Sequence, residues 1–336
     1  MKVSSGKLNP RNRLYLILIF LLIVILTSVA FLSVNKINSK NNKIRLVTHN
    51  AFVFEPKLLR LFESRTGYKI ELIQIGDVGT MVNKLMLTKN DPIGDVVFGL
   101  DNTYLPIAQK NQIIFGIPTA TDSGEVCINY DKNWFQEHKI NPPTNLEDLT
   151  SPKYRHLLVI ENPNTSSTGL AFLAATEGKY QNGDWINFWN ALKSNQIKID
   201  NDWEKAYYTD FSGSSGKGAY PLVLSYNTSI ADEIDSKGNP RTGNLLDGCF
   251  RQTEYIAPLK NGKNPKGSKS LIEFILSKDF QSTFPTQMYM FPVNKNASLP
   301  KNWQNVIVRP KSTYGDNLPI IAEESKWISA WNKIFQ

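Results

Sequence analysis

The chain has 336 residues, 41% of them hydrophobic and 11% aromatic, enough for two lobes with separate cores and too little for three domains. Its formal net charge is +8, yet six of its 38 basic side chains (Lys2, Lys7, Arg11, Arg13, Lys36 and Lys40) lie in the first 40 residues, where there is no acid, so 32 basic groups face 30 acids in the rest. A nearly neutral body lacks the concentrated basic face that a nucleic-acid partner requires.

Residues Leu14 to Ser33 form an almost uninterrupted apolar run of about 20 residues, the length a helix needs to cross a bilayer core. The four basic residues ahead of it set its start in the cytoplasm and the body outside, in the periplasm or on the outer face of the cell membrane. The run reads equally as an uncleaved anchor helix and as a secretion signal cut after Ser28-Val29-Ala30. Asn35 to Asn42, rich in Asn, Lys and Ser, reads as a flexible tether.

From Lys43 the periodicity predicts a strand at Ile44 to Val47, a helix at Pro56 to Ser64, a strand at Ile70 to Ile75, a helix at Thr80 to Leu87 and a strand at Val96 to Leu100. This βαβαβ opening requires a parallel sheet with helices on both faces. Glu125 to Tyr130 reads as a strand leading through Asp131 into a short helix, and Thr144 with Glu147 as a capping box for another. Leu157 to Ile160, Ile197 to Ile199 and Pro221 to Leu224 add strands, separated by helices that begin near Leu170 and Trp185. Phe250 to Ala257 is a further strand, followed by helices at Ser268 to Leu276 and Asp279 to Phe284 that have no sheet of their own. The simplest chain path is an α/β molecule of two lobes: a leader and linker over 1–41, a first lobe from 42–124 completed by 256–336, and a second lobe over 125–255. Glu125 to Tyr130 and Phe250 to Ala257 are then the two hinge strands, and a ligand is held between lobes that close on it.

The loops after these strands carry the chemistry. Thr165, Ser166, Ser167 and Thr168 stand at the start of an apolar helix; capping accounts for one hydroxyl, and a phosphate or another polar ligand end accounts for more of them. Asp77 either caps the helix after it or faces a cation, while Asp101 and Asn102 follow a strand as a weaker signal. Trp203 and Tyr207, at i and i+4, suit core packing as well as a ligand wall, and Tyr226 closes a strand. Aromatic rings together with a carboxylate are what a flat organic cation requires.

Six ordered motifs resemble one family, the thiamine-binding proteins of bacterial ABC importers. They are Asp95-Val-Val-Phe-Gly-Leu-Asp-Asn102, Asn162-Pro-Asn-Thr-Ser-Ser-Thr-Gly169, Trp203-Glu-Lys-Ala-Tyr207, Leu222-Val-Leu-Ser-Tyr-Asn-Thr-Ser229, Phe284-Pro-Thr286 with Phe291-Pro-Val293, and Trp327-Ile-Ser-Ala-Trp331. The resemblance spans about Arg45 to Trp331. It implies a type II periplasmic-binding-protein fold, a monomer without cofactor or metal, and the capture of thiamine or a thiamine phosphate for a permease and its ATPase. It also implies ligand contacts from Asp77, Ser166, Ser167, Trp203, Tyr226, Asn227, Thr228 and Ser229. At three positions the chain departs from the family: His49 replaces a tyrosine, Tyr289 a tryptophan and Asp232 a stacking tyrosine. Beside Asp77 stands Val78, with the expected glycine one place later at Gly79. His49 and Tyr289 remain candidates for the cleft wall.

Cys127 and Cys249 lie near the two hinge strands, so they form a disulfide if those strands are neighbours and are two buried thiols otherwise. A thiaminase-I-like enzyme shares this general fold and attacks thiamine with a cysteine, which makes it the alternative reading, beside a binder for another small cationic or phosphorylated ligand. Against catalysis, Cys127 sits between Val126 and Ile128 with no activating base in sequence. His49, His138 and His156 have no metal-ligand spacing.

Overall fold

In the computed structural model, the described residues are 22–25, 27, 42–215, 217–315 and 317–335. Apart from helical residues 22–25 and 27, the expected anchor or signal lies outside them, and among the described residues no helix is long and apolar enough to cross a membrane.

The opening follows the expected alternation: β1 (Lys43–Thr48), α1 (Pro56–Thr66), β2 (Lys69–Gln74), α2 (Val78–Leu87) and β3 (Val96–Asp101). Pro56 presets the first turn of α1, Leu58 and Phe62 turn one face inward, and Gly67 ends the helix in the left-handed region at φ 73°. After α3 (Leu105–Lys110) come β4 (Thr119–Asp131) and α4 (Lys132–Glu137), whose N-cap Asp131 accepts from the Asn133 and Trp134 amides. The second lobe contains β5 (Leu158–Glu161), α5 (Ser167–Lys179), α6 (Asp184–Ser194), β6 (Lys198–Asp200) and β7 (Leu222–Tyr226). β8 (Thr242–Pro258) then returns the chain to the first lobe.

Among the described residues the strands join one nine-stranded sheet in the order β2-β1-β3-β8-β4-β7-β5-β6, with β9 (Phe291–Pro292) paired to β4. β1 and β3 are parallel at one end, and β5 is parallel to both β6 and β7 at the other. Between them β8 runs antiparallel to β3 and β4, and β4 antiparallel to β7. β4 and β8 have 13 and 17 residues, longer than the stretches Glu125 to Tyr130 and Phe250 to Ala257 that the sequence marks. Asp122, Gln252 and Glu254 interrupt the apolar alternation there, yet all three are buried within the paired region. Cys127 and Cys249 form a disulfide between these two strands, with Cα atoms 4.6 Å apart.

Two local readings differ from expectation. Thr144 does not pair with Glu147; its amide and hydroxyl donate to Asp148 Oδ2 at 2.8 and 2.9 Å, and only a 3-10 turn, Glu147–Thr150, follows. Pro142, Pro143 and Pro152 bracket this stretch and leave no room for a helix. The residues after Trp203 form a π-helical turn, Lys205–Asp210.

Beyond β8, α7 (Pro265–Ile275), α8 (Lys278–Gln281) and α9 (Phe284–Gln287) cover the first lobe, where Phe54, Phe274 and Phe280 pack edge to face and stacked. The rest of the chain does not stay there. Asn302 donates to the Ala231 carbonyl, and the last helix, α10 (Ile320–Phe335), sets Trp331 and Phe335 against Trp189 of α6, each at 6.0 Å.

Candidate functional site

A cleft with a cavity volume of about 130 Å³ opens where the ends of strands from both lobes meet. The first lobe contributes His49 after β1, Asp77 at the start of α2 and Tyr289 after α9; the second contributes Ser167 and Thr168 of α5, Trp203, Tyr208 and Tyr226; Glu254 comes from β8 between them. Hydrogen bonds cross from lobe to lobe beside it. The Trp203 amide donates to Asp77 Oδ2 at 3.2 Å, the Thr80 amide to the Thr165 carbonyl at 3.2 Å, and the Tyr104 hydroxyl to the Pro163 carbonyl at 3.2 Å. Gly79 permits this approach, because a Cβ there would overlap the Tyr104 hydroxyl and come within 2.8 Å of the Thr165 backbone. At Gly99, with φ +86°, a Cβ would overlap the His49 imidazole, so glycine makes room for the ring.

Trp203 is the centre of an aromatic wall. Its ring stacks on Tyr207 at 5.1 Å and lies 5.3 Å from Tyr208, 6.1 Å from Tyr226 and 6.2 Å from Tyr289. The indole is held in place by a 3.0 Å bond from Nε1 to Ser225 Oγ, and Ser225 shares another of 3.0 Å with Ser229. Tyr226 donates to Gln252 Oε1 at 3.1 Å, and Tyr289 donates to Asp232 Oδ2 at 2.9 Å.

Acid surrounds these rings. Asp77, Asp202, Glu204 and Glu254 line the cleft, and no lysine or arginine is among the described residues that do so. Burial pushes the Asp77 carboxyl up, against hydrogen bonds from Ser166, Val78 and Trp203 that favour its charge. Burial likewise raises Asp101, one layer behind, to about 6, and raises Asp122 and Glu161 well above the usual carboxylate range. His49 Nε2 lies 3.6 Å from Glu254 Oε1. Burial alone would lower the imidazole, but Glu254, with Asp77 and Asp101, outweighs it and the net shift is upward. Both Asp122 oxygens, Glu254 Oε2 and Glu161 Oε1 are buried without a hydrogen-bond partner, so polar capacity at this junction is unfilled.

Of the residues singled out in sequence, His49, Asp77, Ser167, Trp203, Tyr226 and Tyr289 line the cleft. Ser166 is the N-cap of α5 and stands behind it, 2.9 Å from the Thr168 hydroxyl. Asn227, Thr228 and Ser229 are fully buried and face the protein: Asn227 Oδ1 accepts from the Glu125 amide at 3.3 Å, Thr228 donates to the Tyr289 carbonyl, and Ser229 bonds Ser225. They position the wall that Tyr226 completes. Thr168, from the hydroxyl cluster marked in sequence, lines the cleft too, as do Asp202 and Glu204 on either side of Trp203, whereas Glu254 and Tyr208 line it and were missed. For Glu254 a signal existed: Gln252 and Glu254 stand two apart on one strand and so share a face. Cys127, which a catalytic reading would need as a thiolate, is bonded to Cys249.

Residues 116–306 match the family model described as bacterial extracellular solute-binding protein. The thiamine-binding periplasmic protein of Escherichia coli (strain K12) is 27% identical over 314 residues, covering 86% of this chain and 92% of that protein. Its counterpart in Haemophilus influenzae (strain Rd) is 26% identical over 336 residues, covering 93% and 98%. A solved periplasmic thiamin binding protein superimposes with a TM-score of 0.77 at 25% identity, over 88% of this chain and 96% of that one. The ferric binding protein from Campylobacter jejuni, at 15% identity and a TM-score of 0.68, shares the fold alone, over 87% and 99% of the two chains. All four are named as binding proteins, and the three thiamine binders as periplasmic ones. The chain belongs to the bacterial extracellular solute-binding proteins, has their two-lobed type II fold, and is an extracytoplasmic relative of the periplasmic thiamine-binding proteins.

Proposed function

We propose that the protein captures thiamine in this cleft and delivers it to the permease of an ABC importer driven by a cytoplasmic ATPase. The observation that carries the reading is the pairing of four lining carboxylates with the Trp203, Tyr208, Tyr226 and Tyr289 rings, in a cleft without lysine or arginine among its described lining residues. A flat cation with two heterocycles meets each demand of such a surface: charge compensation, stacking and cation–π attraction. In this reading Asp77 balances the thiazolium, Trp203 and Tyr226 face the rings, and Ser167 with Thr168 receives the hydroxyethyl end. Ser166, Asn227, Thr228 and Ser229 act through those groups by fixing their positions. Closing of the lobes then presents a changed surface to the permease.

Titration of the purified protein with thiamine, followed by calorimetry or tryptophan fluorescence, tests this directly. Saturable binding is expected, and Trp203→Ala should weaken it by about 1–3 kcal/mol, the size of stacking and cation–π contributions in a desolvated site. Absence of heat and quenching with thiamine and its phosphates would overturn the reading.

A further inference from the structure

Tyr289 stands between two anchors in the first lobe: Phe284 of α9 packs on Phe98 of β3 at 5.9 Å, and Pro292 of β9 is the register partner of Asp122 in β4. Its own polar contacts lie on the second lobe. The Tyr289 hydroxyl donates to Asp232 Oδ2 at 2.9 Å and lies 3.1 Å from the Tyr208 hydroxyl, and the Thr228 hydroxyl donates to the Tyr289 carbonyl. Because the Tyr289 proton is committed to Asp232, Tyr208 is the donor between the two hydroxyls, and the three groups form a directed chain. Asp232 is exposed and Tyr208 is 44% exposed, while Tyr289 is buried, so the chain lies where the cleft meets solvent. Held at its carbonyl and its hydroxyl, Tyr289 takes φ 56°, in the left-handed region that a bulky side chain enters only where its surroundings impose it. Tyr289 and Asp232 are two of the three positions at which the sequence departs from the family it resembles, and here they are partners.

We propose that Tyr289 is the latch of the cleft, a positioning residue that fastens the first lobe to the second through Asp232, Tyr208 and Thr228 and so sets how slowly the ligand leaves. Thiamine as that ligand rests on the reading above; the contacts that make the latch do not. Parting of the lobes at the mouth must break all three bonds together, because each runs from this one residue to the second lobe. The same movement carries the Tyr289 ring away from Trp203, 6.2 Å distant. Encounter of a ligand with the open cleft needs none of these bonds. Their loss therefore speeds departure more than it changes arrival. Water competes for the exposed Asp232 carboxylate, so removing the hydroxyl changes the rate several-fold rather than by orders of magnitude.

Stopped-flow tryptophan fluorescence with thiamine measures association and dissociation separately. Tyr289→Phe keeps the ring against Trp203 and removes the hydroxyl; its dissociation should be about five- to tenfold faster, with a smaller change in association. Asp232→Asn, which weakens the same bond from the other side, should speed dissociation about two- to fivefold. The double variant should dissociate no faster than Tyr289→Phe alone, because both substitutions act on one bond. Small-angle scattering without ligand reads the latch independently of thiamine, and Tyr289→Phe should show a larger radius of gyration than the wild type. Unchanged dissociation in Tyr289→Phe, or effects that multiply in the double variant, would overturn the latch and leave the thiamine reading standing. If the wild type binds no thiamine, the thiamine reading falls, and equal scattering from the wild type and Tyr289→Phe would overturn the latch as well.

Discussion

His49 shows how one substitution in the cleft wall changes the chemistry around it. The folded state holds its pKa above 6.5, because Glu254, Asp77 and Asp101 outweigh the burial that opposes its charge. Its contribution to folding stability is therefore present below about pH 6.5 and is lost as pH rises through the raised value. For a cationic ligand the sign reverses, since a protonated imidazole repels it. Asp101, with its pKa near 6, acts in the same direction, losing its attraction as it is protonated. Affinity for thiamine should rise between pH 5.5 and pH 8, and His49→Asn should shallow that rise while leaving the part due to Asp101. A flat wild-type profile by calorimetry would contradict this account. The residue types at the cleft were readable from sequence where an aromatic or acid follows a strand, as at Asp77, Trp203 and Tyr226. Glu254 was not, because it lies inside a strand, where an acid reads as the exposed side of an alternation.

At the level of elements, β4 and β8 join the lobes, and the Cys127–Cys249 disulfide ties one to the other across 122 residues of sequence. Closing so long a loop restricts the unfolded chain, and its loss should cost about 2–5 kcal/mol of stability. Thermal unfolding with and without reductant should show Tm lowered by several degrees. An unchanged Tm, with reduction verified by thiol alkylation and mass analysis, would show that the bond adds nothing to stability. The strand cores were legible in their apolar runs, whereas the polar halves of β4 and β8 were not: Asp122 and Glu254 are register partners buried side by side. The π turn at Lys205–Asp210 was equally hidden, since its spacing of aromatic residues also fits an ordinary helix.

At the scale of the whole molecule, Gly79 of the first lobe lies against the Thr165 backbone of the second beside the cleft, with no space for a Cβ between them. Gly79→Ala introduces a good helix former into α2, so α2 itself should not suffer. Its methyl group would meet the Tyr104 hydroxyl and the Thr165 backbone and hold the lobes apart. Thiamine affinity should fall by more than tenfold with the circular dichroism spectrum unchanged, and small-angle scattering should show the variant remaining expanded when thiamine is added. Wild-type affinity in this variant would show that the Gly79 contact has no part in closure.

Sequence by itself determined the alternation of strands and helices, the nearly neutral body behind a basic apolar leader, and the gathering of aromatic and small polar residues after strands. These are properties of local periodicity and composition, which each segment carries without reference to its neighbours. Only the tertiary structure decided which of those residues face the ligand. Trp203 and Tyr207 are both aromatic and one turn apart, yet one lines the cleft and the other is buried behind it. Asn227, Thr228 and Ser229 follow Tyr226 directly and turn inward. The side on which a residue falls is set by the pleat of β7 and the approach of the opposite lobe, and both depend on contacts between segments far apart in the chain.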